Sequence, residues 1–531
     1  MRRVLLLALL AAGPLAAPAL AKPKGDPAPT AATAAAPAAP AAPTPKDLAK
    51  LEKARIEAFA EYETQLASGQ KARAADALVA LVDDPAMSSF HAEAYGKLGD
   101  LFLGLDLPYA AVTAWTRAFT AADDTNSAEI GLYVPKAMAT AKKVGDSAIL
   151  EEPFSKNLAL ARTEDVRGEM AFLAAREAFH DDSFGLGLGM LKMVKEGDPI
   201  YPDAKALEGV ILNQQGRPED ALTPFEAAQK AGRDKDIRFK DSLSLNMARS
   251  YYAAGNYPRA IQGYAGVSRG SEFWPQAQFE RAWSHFRIDD LNGTLGVLYS
   301  LDTPFFTSWY FPEADLLRIY AMFLMCKFPE ANSEIEAFRT FYKPVHTALK
   351  GWNGKSDKET FELARRYAES GAYDPLPESI LRPYASEERL RSSIAAVKSA
   401  DDELERLKAV SANPFSETAR RWVKERRDTM VDAEGARIGA RIADQEAQIG
   451  QMLDDTEIFI LDILRMKSML YEQAAAIGKM PDAARVVKRD ERVRKGWREW
   501  PYEGEIWADE LGYYRVDAAP ECPAGLARGQ K

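Results

Sequence analysis

Four histidines are available for metal or acid–base chemistry: His91, His180, His285 and His346, dispersed along 531 residues. Only His180-Asp181-Asp182 sets potential ligands side by side. Three consecutive residues seldom converge on one ion without further donors, and the triplet falls at a turn between helices, so it reads as a helix cap. Gly185-Leu186-Gly187-Leu188-Gly189 has glycines enough for a phosphate loop, but no strand precedes it and no Lys-Ser/Thr follows. Those glycines are expected where helices approach closely. The carboxylate pairs Asp289-Asp290, Asp401-Asp402 and Asp454-Asp455 fall in turns or on helix faces with no nucleophile–base partner. This inventory supplies no catalytic residue, no metal site and no cofactor, and it predicts a protein that is not an enzyme.

Cys326 and Cys522 are the two cysteines. An exported protein could bridge them, but spacing alone does not show proximity, and two isolated thiols remain the alternative. Export is expected from the N-terminus. Arg2-Arg3, an apolar core Val4–Ala12 and Ala19-Leu20-Ala21 before Lys22 form a signal peptide over residues 1–21. No later apolar run approaches the length of a membrane span. Loss of Arg2 and Arg3 takes the formal charge from −10 to −12. So acidic a chain has no general attraction to nucleic acid or anionic lipid. Residues 22–45, nearly all Ala, Pro, Thr, Lys and Gly, cannot bury enough apolar surface to offset chain entropy and read as a disordered linker.

From Lys46 a helical period begins, with turn residues at regular intervals. The clearest stretch has Ala248, Tyr251, Gly255-Asn256-Tyr257, Ala260 and Tyr264. It is echoed by Ala282, His285, Asp289, Leu291, Thr294 and Leu298, 34 residues on. A small residue recurs at Gly99, Ala175, Gly209, Ala248 and Ala282, with Tyr62, Met138 and Ile319 as poorer members; successive spacings are 34 to 39 residues. Twelve residues after these come Ala74, Ala111, Gly187, Ala221, Ala260, Thr294 and Ala331. A small residue at each helix crossing, at this period, resembles the tetratricopeptide repeat (TPR). The resemblance implies an all-α solenoid over 46–342; a generic helical bundle is the competing fold. It also implies a concave face lined by the first helix of each pair. That places Phe172, Arg176, Phe179, Arg249, Tyr252, Trp283, Phe286, Tyr320 and Phe323 toward a partner-binding groove. Aromatic residues with arginine are what interface hot spots use. The same rings could instead be stacking core, or be covered by later segments of the chain.

Residues 343–384 read as a connector, broken by Pro375, Pro377 and Pro383. Within it, Ser356 and Glu359 are placed as a capping box. Residues 385–478 read as a long helical hairpin. Its second helix carries Ile438, Ile442, Gln445, Ile449, Met452, Thr456, Phe459, Ile463, Met466 and Leu470 at alternating spacings of four and three, the seam of a coiled coil. Through residues 438–470 the chain could self-associate, or both helices could lie along the repeat body. Residues 479–531 form a basic and then aromatic tail. Seven Lys and Arg fall between Arg485 and Arg498, followed by Trp497, Trp500, Trp507, Tyr513 and Tyr514. Rings in that number are expected to dock on the body or on a partner.

The run from Trp500-Pro501-Tyr502 through Leu511-Gly512-Tyr513-Tyr514 resembles the closing segment of exported TPR proteins from gliding, myxobacterial-type bacteria. The expected function is a protein–protein scaffold in the cell envelope, exported to the periplasm, whose partners are other envelope proteins. That resemblance adds a possible place in motility or trans-envelope transport. A cell-wall-associated accessory factor and a polysaccharide-binding or export protein are the alternatives.

Overall fold

The computed structural model describes residues 45–161, 164–306, 308–477 and 506–522. The signal peptide, nearly all of the Ala-Pro linker, and the basic run with Trp497 and Trp500 lie outside the described residues. Among the described residues every regular element is helical, and none is long and apolar enough to cross a membrane. The chain divides into two compact units, Met1–Arg233 with Ser392–Thr429, and Asp234–Arg391 with Met430–Lys531.

One turn recurs through the repeat. Gly69, Asp106, Gly145, Asp182, Gly216, Gly255, Asp289 and Cys326 all take positive φ, between 55° and 81°. Each lies seven residues after one member of the aligned series from Tyr62 to Ile319. The next residue donates its N–H five residues back, as Gln70 does to Gln65 O (2.9 Å), Asn256 to Tyr251 O (2.8 Å) and Lys327 to Met322 O (2.9 Å). This is the left-handed helix stop, which glycine enters without a Cβ clash and aspartate tolerates. Proline then stands in the first turn of many second helices, as at Pro108, Pro218, Pro258 and Pro329, where no intrahelical partner is lost.

The first unit contains α1 (Pro45–Ala67), α2 (Lys71–Val82), α3 (His91–Gly104), α4 (Pro108–Ala121), α5 (Ser127–Ile130), α6 (Val134–Val144) and α7 (Glu151–Lys156). It continues with α8 (Glu164–His180), α9 (Phe184–Leu191), α10 (Tyr201–Gln214) and α11 (Pro218–Ala231). Helices cross closely where the pattern placed small residues. A Cβ on Gly99 would overlap the Trp115 indole, and one on Gly209 would sit 2.5 Å from Phe225. Of the Gly185–Gly189 stretch only Gly187 meets another helix, near Ile211, while Gly185 and Gly189 face open space. At the poorer member Met138 the buried positions are Ala137 and Ala141 instead. The pair built on it is correspondingly short.

The second unit contains α12 (Ile237–Ala253), α13 (Tyr257–Ala265), α14 (Trp274–Arg287), α15 (Leu291–Leu301), α16 (Pro312–Leu324) and α17 (Phe328–Trp352). Ala248, Ala260, Ala282, Thr294, Ile319 and Ala331 are fully buried, as close crossing requires. The segment read as a connector is largely helical. After the end of α17 come α18 (Asp357–Ser370) and α19 (Glu378–Ser386), and the Ser356–Glu359 capping box is formed.

Two further helices, α20 (Glu388–Lys408) and α21 (Pro414–Ile477), contribute residues to both units. They run antiparallel. Arg427 reaches Asp401 (3.0 Å) and Arg420 reaches Leu407 O in the first unit, and Arg389 reaches Glu434 (3.1 Å) in the second. Trp422 of α21 packs edge-on to Tyr95 and Phe102 of α3. Within the second unit α21 continues along the chain's own helices. Gln445 accepts from the Tyr384 hydroxyl (2.9 Å), Glu446 meets His346 (2.8 Å), and Arg339 donates to Glu457 (2.9 Å). Ile438, Ile442, Ile449, Met452, Thr456, Phe459 and Ile463 are buried there. From Ile438 to Ile463 the periodic seam is therefore covered by the chain's own helices, as expected of a helix lying along the repeat body, while Met466 and Leu470 are half-buried.

Candidate protein-interaction surfaces

The residues assigned to a groove fall into two groups. In the first unit Phe172, Arg176 and Phe179 lie half-buried on α8. Arg176 stands 3.2 Å from the Glu151 carboxylate, and the Phe179 ring is 6.0 Å from Phe184. In the second unit α14 and α16 bring together a row of rings: Trp283 to Phe286 (5.7 Å), Phe286 to Tyr320 (5.7 Å), and Tyr320 to Phe323 (6.3 Å). Phe459 of α21 lies across the far end, 5.9 Å from Tyr320 and 6.4 Å from Phe323. At that end the rings are covered by the chain's own helix.

Arg249 does not offer its charge to a partner. Its guanidinium grips the fully buried Glu280 with Nε at 2.9 Å and Nη2 at 2.6 Å, and Gln276 adds a third donor to the same carboxylate. Three charge-assisted bonds satisfy a carboxylate that would be costly to bury alone. Tyr252 packs edge-on to Tyr257, and burial pushes its hydroxyl up to about 12. It stays a neutral phenol.

The tail residues described here, 506–522, form a strap without helix or strand on α14, α15 and α16. Leu511 is buried in a cluster with Trp274, Ala277 and Tyr264, against which Ile506 and Tyr514 also pack. Val516 and Ala518 pack on Leu295, Ala321 and Met325. The Tyr514 ring meets Tyr299 edge-on at 4.9 Å. Trp507 and Tyr513 remain 54% and 71% exposed, although the Arg269 guanidinium lies over the Tyr513 ring at 4.5 Å. Of the aromatic anchors expected in the tail, Tyr514 docks, Tyr513 only borders the body and Trp507 faces water. Leu511, part of the same run but not among the expected anchors, is the residue that is buried.

Cys326 and Cys522 are joined, with Cα atoms 5.1 Å apart across 196 residues of sequence. The receiving residues Arg269, Arg281, Asn292, Gly296 and Ser300 were not legible as a site. Their one local signal is Gly296 inside α15, where glycine weakens a helix without local gain; Gly293 is accounted for by the turn, since a Cβ there would collide with Asp290 and His285.

Among the described residues no group of His, Cys, Asp and Glu could hold a metal ion. Burial holds His285 below the ordinary imidazole range even though Asp290 lies 2.8 Å away, so it serves the α14–α15 turn. The hollow beside Trp352, Glu362 and Arg366 and the one beside Lys192, Glu208 and Arg217 have volumes of about 430 and 330 Å³. The first is lined mainly by charged side chains and the second by charged and uncharged ones in equal number.

No protein-family model matches the sequence, and no curated protein matches it. Among solved structures, the TPR domain of P58(IPK) aligns with 71% of this chain and 99% of its own length, at 15% identity and a TM-score of 0.17. Likeness at that level carries no argument, and the TPR-like repeat rests on the chain's own turns and buried alanines.

Proposed function

We propose that the chain is a non-enzymatic protein–protein interaction scaffold of the bacterial cell envelope, exported to the periplasm, with other envelope proteins as partners. The observation that carries this reading is the outer face of α21. Ile458, Leu461, Leu464, Met469 and Tyr471 are exposed there, Leu461 by 65% and Tyr471 by 59%. At about 100° per residue these five centre on the side away from the buried seam. They share that side with Glu457, Arg465, Ser468 and Glu472, and large apolar side chains exposed among charged ones suit a surface that another protein covers. The signal-peptide pattern and the Cys326–Cys522 bridge both suit an oxidising, extracytoplasmic compartment. A role in a motility or trans-envelope assembly rests on the resemblance of the tail alone.

The test places a photo-crosslinking side chain at position 461 of the full chain, irradiates it in envelope extract, and in parallel sediments the protein with purified cell wall. A discrete protein adduct that disappears in Leu464→Asp is expected. Retention on cell wall with no protein adduct would replace the scaffold by the wall-associated or polysaccharide-binding alternative.

A further inference from the structure

The surface under the strap reads main chain. Six hydrogen bonds from α14–α16 and the adjoining turns go to strap backbone among the described residues and ignore the identity of the strap side chain; Lys327 adds one to a strap side chain, Glu521 (2.8 Å). Asn292 is the centre of this: its amide donates to Ala518 O (3.3 Å) and accepts from Ala518 N–H (3.1 Å). Ser300 Oγ accepts the Gly512 N–H (2.8 Å), Arg281 donates to Gly512 O (3.2 Å), and Arg269 donates to Asp509 O. Met325 O accepts the Glu521 N–H at 2.8 Å. Room for the strap comes from Gly296, where a Cβ would stand 2.5 Å from Tyr514 O. Two-sided backbone capture by an asparagine, with a few shallow apolar seats between, is how a protein holds an extended peptide.

The closing bond sits at a costly place. Cys326 occupies the recurring left-handed turn, φ 57°, where the seven other members of the series are glycine or aspartate. A side chain that cannot bond its own backbone is disfavoured there. A residue kept against that preference points to a role, and the role visible here is the bond to Cys522 at the strap's end.

We propose that the cradle on α14–α16 is a second peptide-binding site, shut by the chain's own residues 506–522 while Cys326–Cys522 is oxidised and opened by a dithiol reductant. Opening transfers two electrons and two protons from the dithiol, which leaves as a disulfide, and yields two protein thiols. The cradle then takes an extended peptide with the strap's pattern: a leucine, glycine one residue on, an aromatic at three, valine at five and a small residue at seven, matching Leu511, Gly512, Tyr514, Val516 and Ala518. With the disulfide formed, the strap is held at both ends and kept at very high effective concentration; reduction leaves it joined only through the chain before residue 506, so that concentration falls and a free peptide in excess can compete. This site is separate from the α21 face and fails or stands independently of the scaffold reading.

The experiment uses the full chain and a fluorescent synthetic peptide of residues 506–522 carrying Cys522→Ser. Oxidised protein is compared with protein reduced by dithiothreitol and alkylated, and hydrogen exchange of residues 506–522 is followed in both. The proposal expects roughly a tenfold or larger rise in bound peptide on reduction, with 1:1 saturation and faster exchange in the strap. Reduced Gly296→Ala should bind no peptide while its helicity holds, because alanine favours the helix and only the cradle is filled. Reoxidation that yields dimers joined Cys326 to Cys522 would also support it, the second copy's strap being the peptide. Equal binding before and after reduction overturns the proposal. So does a reduced chain whose strap stays protected and admits no peptide, or one whose strap exchanges freely while the empty cradle still binds nothing.

Discussion

Glu403 of α20 caps α4: its carboxylate accepts the Tyr109 N–H at 2.7 Å, and the next amide, Ala110, at 2.8 Å. These are amides at the start of a helix, without intrahelical partners, and the helix dipole favours negative charge there. The cap arrives from a residue 294 positions away, so one side chain ties the late hairpin to an early repeat inside the first unit.

Burial pushes Glu403 up to about 7, against the two amide bonds and Arg406, which hold it down. In the unfolded chain it titrates near 4.5. Between these values the folded state binds the extra proton, so stability should fall as pH rises from about 4.5 to 7, by at most about 3 kcal/mol from this group. Thermal melts across that range should show the slope, and Glu403→Gln should flatten it. A variant with the wild-type slope would remove Glu403 as its source.

Ala248 and Ala282 fill crossings with no spare volume. Both are fully buried, and a Cβ on Gly263 would lie 2.8 Å from the Ala248 methyl. Ala248→Leu and Ala282→Leu should each cost about 1–3 kcal/mol through overpacking. Unchanged urea midpoints for both would mean that the helices are spaced more loosely than described.

Removing half of the Arg249–Glu280 pair should be worse than removing all of it. Glu280→Ala leaves Arg249 facing a buried void without its counter-charge and should cost about 3 kcal/mol. The double replacement Arg249→Met with Glu280→Met should recover much of that loss. A double variant less stable than the single would show that the pair is itself a net stabiliser.

Phe459→Asp should strip α21 from Tyr320 and Phe323. Loss of a buried aromatic costs about 3–5 kcal/mol, and a charge set in its place adds to that. The expected readout is a lower denaturation midpoint together with faster hydrogen exchange in α16 and in α21 beyond residue 452. Wild-type exchange in both helices would place Phe459 outside the core.

What the sequence determined by itself was periodic or local. The small residues from Gly99 to Ala331, the Gly and Asp that end first helices, the Ser356–Glu359 box and the seam from Ile438 to Ile463 could all be read from spacing. Helix geometry fixes which residues share a face within a few positions, and a left-handed stop needs a particular residue type at one place. Periodicity states that a face is covered and is silent about what covers it. Tertiary structure decided that Phe459 lies over Tyr320, that Arg249 spends its charge on Glu280, that Leu511 rather than Trp507 anchors the strap, and that Cys326 meets Cys522. Each of those contacts closes a loop, from 31 residues for Arg249–Glu280 through 196 for the disulfide to 247 for Leu511 against Tyr264. Its gain depends on the surface that chain closure brings into reach, which no local pattern of residues encodes.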